Sequence, residues 1–318
     1  MRTLNKYFIF SDVHGEYDAL LNALNEAGYD RNNPTHKLVS LGDNFDRGKQ
    51  SKDIFIFLRN KGAICVKGNH DLFLQEYLEK GMDGEYVLFN ILHNGLEETI
   101  KSFSNLIDRA YINVQELELA RKNINNQYSS LLKWLQEMPL YYETEHCIFT
   151  HAGINPNLSN WKETDEHFMT WDIENSCNPC LNTKKVVFIG HHHAYRVKQQ
   201  AKEKGFNVTN IEKDKPELYF PEDDTSHKIL SFGNKDEHSP YIGGNKIAID
   251  GCTNLTKKVN VVVIEDYPLQ EEKEEKKEDT SNEKTVTYAS YNKDGFTYTV
   301  NFNNINTTTV NGPTWMPF

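Results

Sequence analysis

Seven short runs of β-branched and aromatic residues punctuate the chain: YFIF (7–10), KLVSL (37–41), AICVK (63–67), CIFT (147–150), VVFI (186–189), KIAI (246–249) and VNVVVI (259–264). Their length and composition predict buried strands. Between the first three, apolar residues recur at helical intervals: GEYDALLNALNEAG stops at Gly28, and SKDIFIFLRNKG runs from Ser51 to Gly62. Strand, helix, strand, helix predicts right-handed crossovers and a largely parallel arrangement at the front of the chain. Much of the stretch from about 72 to 140 has helical periodicity and forms an insertion, in which Leu131, Leu132, Trp134 and Leu135 read as its internal packing. Beyond residue 265 the pattern changes. Residues 270–284 (QEEKEEKKEDTSNEK) are dense in charge and poor in apolar residues, so 266–285 reads as an acidic linker. In 286–318 polar and aromatic residues alternate around NKDG, the signal of a β-hairpin tail.

Composition narrows the function classes. The 318 residues carry a formal charge of −11, so an overall electrostatic attraction to nucleic acid or anionic lipid is disfavoured. No apolar run approaches the roughly 20 residues that span a bilayer, and the chain reads as soluble and cytoplasmic. Five cysteines (65, 147, 177, 180 and 252) without a secretory signal predict reduced thiols. The pair in CNPC (177–180) lacks a partner pair and reads as a loop.

The residues that follow each strand carry the chemistry. After the first five strands come SDVHG, GDNFDRG, GNHD, HAG and GHHH. Asp, His and Asn at C-terminal strand ends are oxygen and nitrogen donors for divalent metals, and cysteine is missing from these loops. A carboxylate can bridge two cations about 3.5–4 Å apart, and Asp43 occupies the natural position for it. Arg47, four residues on, offers a fork shaped for phosphate oxygens.

In this combination DVHG, GDNFDRG, GNHD, HAGI and GHHH resemble the calcineurin-like metallophosphoesterases, and DRG with GNHD resembles their phosphoprotein phosphatase branch. HNGLEETIKSF (93–103) and THAGINP (150–156) are similar to the phage lambda and bacterial type within it. The likeness spans about residues 6–265. It implies an α/β fold, a four-layer α/β/β/α sandwich in residues 1–265, with the helical insertion as a cap and the hairpin as an appendage. It implies two divalent ions, manganese by preference and iron or zinc by ligand type. Asp12 and His14 would hold the first with bridging Asp43; Asn69, His151 and His191 would complete the second. His70 would be the general acid oriented by Asp46, and Arg47 would grip substrate phosphate. The resemblance further implies direct attack of a metal-activated water on the phosphoester of a serine/threonine phosphoprotein. A dinucleoside polyphosphate, a nucleic-acid end or a catalytically silent scaffold are the alternatives. Where relatives of the lambda type carry an arginine two residues after a tryptophan, this chain has Ile173 after Trp171, and Arg196 is the candidate replacement. His193 and Asp250 are further candidate ligands near the site.

Overall fold

The computed structural model describes residues 3–105, 110, 112–206, 208–210, 217–218, 227–269, 288–293 and 296–301. Strand β1 (Asn5–Phe10) leads through helix α1 (Tyr17–Glu26) to β2 (His36–Ser40), and through α2 (Ser51–Lys61) to β3 (Ile64–Cys65), and the three strands pair in parallel. α2 ends on Gly62 at φ +57°, a left-handed turn that glycine makes without a Cβ penalty. The strand Val261–Asp266 joins the other side of β1 antiparallel, and Leu230–Phe232 closes that edge. A second sheet runs β4 (Tyr141–Glu143), β5 (Cys147–Thr150), β6 (Val186–Ile189), Lys246–Ala248, Tyr241–Gly243, Thr209–Asn210. In it β5, β6 and Lys246–Ala248 are parallel, while β4 and Tyr241–Gly243 run against their neighbours. Both sheets are mixed, so the parallel pattern of the first three strands is local.

The alternation of side chains explains the layering. Tyr7 and Ile9 of β1, Val39 of β2, Cys147 and Phe149 of β5, and Val186 and Phe188 of β6 share one buried cluster between the two sheets. Their neighbours point the other way: Phe8, Phe10 and Leu38 pack on α1, α2 and the insertion, while Ile148, Val187 and Ile189 pack on the helix Ala194–Glu203 and around Trp161. Strands buried on both faces read as continuous apolar runs, as the sequence has them. The result is the four-layer α/β/β/α sandwich.

Helix α3 (Asn69–Lys80) and the helices Leu96–Ser104, Val114–Gln127 and Ser129–Glu137 build the insertion. Leu131 and Leu135 are buried in the same cluster as α1 and α2, with Leu132 and Trp134 partly buried against it. Asn113 caps its helix by accepting from the Glu116 backbone N–H at 2.9 Å, while Glu116 returns to the Asn113 N–H. All five cysteines are free and buried; Cys177 and Cys180 belong to the packing on the outer face of the second sheet.

The chain divides into two compact units, Met1–Gln270 and Glu271–Phe318. The last strand of the first unit runs two residues beyond the predicted 264, and Pro268 bridges Thr144. The acidic run 270–284 lies outside the described residues. In the second unit Tyr288–Lys293 pairs antiparallel with Phe296–Asn301. No helix among the described residues is long and apolar enough to cross a membrane.

Candidate dinuclear metal site

The loops after β1 and β2 are zipped to one another. Asp12 N–H donates to Gly42 O, His14 N–H to Asp43 O and Gly15 N–H to Asn44 O, each at 3.0–3.1 Å. Their tight course puts Asp12, His14, Asp43, Asp46 and Arg47 at positive φ, as is His191 in the loop after β6. Of the nine non-glycine residues in that region among the described ones, six are therefore candidate site residues. Left-handed backbone costs a residue with a Cβ about 1–2 kcal/mol, and here the cross-bonded loops hold it.

Four glycines let the loops close. A Cβ on Gly68 would fall on Asp43, and one on Gly15 or Gly48 would fall on the other's backbone. Gly190 is packed against Ser11 Oγ and the Asp12 carboxylate. Gly190→Ala should therefore displace Asp12 and lower stability by about 1–3 kcal/mol through overpacking. The checks are the thermal midpoint with and without divalent ions; an unaltered metal-dependent rise would show that the Asp12 position is not needed.

The site lies where these loops meet those after β3, β5 and β6, in a pocket of about 170 Å³ lined by Asp12, His14, Asp43, Asn69, His70 and His191, among others. Two sets of donor atoms lie within 4.8 Å of one another, one from His14, Asp43 and His70, the other from Asp43, His151 and His191. Asp43 is common to both. Asn69 Oδ1 sits 3.1 Å from His151 Nε2 and 3.1 Å from His191 Nδ1, inside the second set. Asp12 reaches His14 Nε2 at 3.9 Å with one oxygen, while the other takes the Ser11 hydroxyl and the His191 N–H.

Ring partners separate the histidines into two kinds. A carbonyl oxygen only accepts, so the ring nitrogen facing one carries the proton. His14 Nδ1 faces Phe45 O at 3.0 Å, His151 Nδ1 faces Leu41 O at 2.7 Å, and His191 bonds the Trp171 carbonyl. A ring proton held by a backbone carbonyl leaves the other nitrogen as a lone pair: that of His14 accepts from Arg47, while those of His151 and His191 meet Asn69 Oδ1, itself an acceptor, a convergence of lone pairs that a cation would satisfy. His70 differs. Its Nδ1 lies 2.8 Å from Asp46 Oδ2, and Asp46 Oδ1 accepts the Thr99 hydroxyl at 2.8 Å. Arg47 forks between the two kinds, Nη1 on His14 Nε2 at 2.8 Å and Nη2 on His70 Nε2 at 3.0 Å.

Burial sets the protonation states. It holds His14 and His70 well below the ordinary imidazole range, with Arg47 adding to both, and it lowers His191 to about 2. Burial pushes Asp43 well above the usual carboxylate range, reinforced by Asp12 and Asp71, and does the same to Asp250, reinforced by Asp12. Asp46 is raised to about 8, again mainly by burial. Buried carboxylates that repel one another, together with neutral imidazoles that present lone pairs, form a donor set that divalent cations satisfy. The residues fit the two ions that the sequence implies.

His193 and Asp250 also line the pocket; His193 Nε2 is 3.7 Å from Asp250 Oδ2, and its buried Nδ1 has no hydrogen-bond partner among the described residues. Arg196 is not brought to this pocket. It is exposed on the helix Ala194–Glu203, with Nε donating to Tyr195 Oη at 2.8 Å. Sequence reasoning missed Asp71, whose carboxylate accepts from the backbone N–H groups of Gly68 at 2.9 Å and Asp43 at 3.0 Å and so ties α3 to the β2 loop. It stands third in α3, where an acidic residue suits the helix start, and that was the available signal. Thr99, Asn94 and Trp171 receive no role from the sequence, although HNGLEETIKSF and the tryptophan stand out there; Phe73 was missed, and no local signal marks it.

The calcineurin-like phosphoesterase family matches residues 6–220. Serine/threonine-protein phosphatase 2 of Escherichia coli is 35% identical over 74 residues, 23% of this chain and 33% of its own length. The asymmetrical bis(5'-nucleosyl)-tetraphosphatase PrpE of Bacillus velezensis is 34% identical over 188 residues, 54% of this chain and 67% of its own. Among solved structures, a metallophosphoesterase from Sphaerobacter thermophilus aligns with 84% of this chain and 89% of its own at a TM-score of 0.42 and 14% identity. The match to the E. coli phosphatase agrees with the phosphoprotein phosphatase branch, and it spans only a third of that enzyme. With five strand-end loops converging on paired donor clusters and a family match over most of the sandwich, the chain belongs to the calcineurin-like phosphoesterases.

Proposed function

We propose that the protein hydrolyses phosphate monoesters of serine and threonine in proteins, and that dinucleoside polyphosphates are a second substrate class for the same centre. The observation that carries the reading is Asp43, the one residue shared by both donor clusters. Asp12, His14 and Asp43 would hold one divalent ion, and Asp43, Asn69, His151 and His191 the other, manganese by preference. Such a pair supplies Lewis-acid activation of water and neutralises phosphoryl oxygens. The chain's own groups do the rest. Arg47, already forked toward the pocket, turns its N–H groups to the phosphate oxygens and orients phosphorus for in-line attack. The His70–Asp46 pair, in which burial raises Asp46 to about 8, holds the proton that is given up: with Arg47 turned to the phosphate, the Asp46 carboxyl proton moves to His70 Nδ1 as the Nε2 proton passes to the departing alkoxide and the P–O bond breaks. The attacking water's proton restores the pair. Thr99 fixes Asp46 from the insertion, which couples the cap to the acid.

The second substrate class is favoured by the PrpE match, which spans 188 residues against 74 for the protein phosphatase. The test is release of inorganic phosphate from a phosphoserine peptide by protein loaded with manganese. Turnover should be lost on chelation and restored by re-addition of the ion. Undiminished turnover in chelator, or none in the loaded protein, would contradict it.

A further inference from the structure

The helix that follows GHHH carries a second cavity beside the metal centre. It has a volume of about 410 Å³ and is lined by His192, Tyr195, Arg196, Gln199, Gln200 and Glu203. His192 stands between His191 and His193, both of which line the catalytic pocket, so the two cavities share a loop. A chain of stacked groups connects them: the His193 ring lies 5.7 Å from the Tyr195 ring at 24°, and the Arg196 guanidinium lies 5.6 Å from the Tyr195 centroid. The Arg196 Nε is committed to Tyr195 Oη, which steadies the guanidinium, and its two Nη groups bond no protein group among the described residues. The acidic group at the far rim, Glu203, accepts from Gln199 Nε2 at 3.0 Å.

We infer that this cavity takes the distal phosphate of a polyphosphate chain whose reactive phosphoryl group sits at the metal centre. A steadied guanidinium with two outward N–H groups is a fork for phosphate oxygens. The partly exposed rings of Tyr195 and His238, 5.2 Å apart, add an aromatic edge against which the flat base of a nucleotide can pack. Arg196 is then a specificity residue that discriminates a continuous polyphosphate chain from separate single phosphoryl groups. The inference rests on the polyphosphate reading of the site.

The test compares wild type with Arg196→Ala and Arg196→Lys, each loaded with manganese, on diadenosine tetraphosphate, p-nitrophenyl phosphate and singly and doubly phosphorylated peptides. For Arg196→Ala the ratio of kcat/KM on the tetraphosphate to that on the aryl phosphate should fall about tenfold or more, chiefly through KM. Arg196→Lys, with the charge but without the fork, should fall between. An unchanged ratio in both variants overturns the inference. So does wild-type protein that cleaves the aryl phosphate but not the tetraphosphate, or a loss confined to the doubly phosphorylated peptide. Failure of the underlying site is distinguishable, because wild type would then cleave none of the four substrates.

Discussion

Asp43→Asn should reduce hydrolysis of p-nitrophenyl phosphate by at least about 10³-fold, a loss of roughly 4 kcal/mol in transition-state stabilisation. The size follows from position. Among the described residues Asp43 alone belongs to both donor clusters, so the change would remove a charged ligand from each ion at once. The same substitution should not weaken the metal-free fold. The buried carboxylate is pushed above its ordinary range by burial, by Asp12 and by Asp71, so a neutral amide of the same shape relieves repulsion there. Its oxygen can still accept the His70 N–H, which Asp43 Oδ1 now takes at 2.9 Å. In chelator the thermal midpoint of Asp43→Asn should equal or exceed wild type, while the rise produced by manganese should shrink. A kcat within tenfold of wild type would remove Asp43 from the centre of the account.

His70→Asn should divide substrates by their leaving group. An alkoxide such as that of serine needs a proton as the P–O bond breaks; p-nitrophenolate needs much less help. The expected losses are about 10²–10³-fold on a phosphoserine peptide and under about tenfold on p-nitrophenyl phosphate. Asp46→Asn should give the same pattern at smaller size, because it disturbs the Nδ1 partner without removing the ring. Equal losses on both substrates would show that His70 works through metal binding or positioning, which its place in a donor cluster with His14 and Asp43 makes a real competitor.

The parts of this site that were legible in the sequence share one property. Asp12, His14, Asp43, Asn69, His151 and His191 each follow a buried strand within a few residues, and metal ligation restricts the residue types so tightly that strand-end Asp, Asn and His stand out. The supporting partners are chemically ordinary and distant in the chain. Thr99 meets Asp46 across 53 residues and Asp71 meets Asp43 across 28, and nothing near either residue announces the contact. In the fold, the strands at β1, β2, β5 and β6 were legible because both faces are apolar. Tyr141–Glu143, Leu230–Phe232 and Tyr241–Gly243 were not, since three residues give too little alternation to distinguish an edge or short pairing from a loop. The antiparallel return of Val261–Asp266 beside β1 was hidden for another reason: apolar pattern fixes burial, and strand direction comes from connections that pattern does not encode. Arg196 lines the neighbouring cavity and not the metal pocket, a distinction hidden in the sequence because chain proximity to GHHH does not tell which side of the helix a residue faces.

Two divalent cations should share the Asp43 carboxylate. Anomalous difference density from a manganese-grown crystal tests it most directly. Two peaks about 3.5–4 Å apart are predicted, one contacted by Asp12, His14 and Asp43 and one by Asp43, Asn69, His151 and His191. A single peak, or two that do not have the Asp43 carboxylate between them, would contradict it.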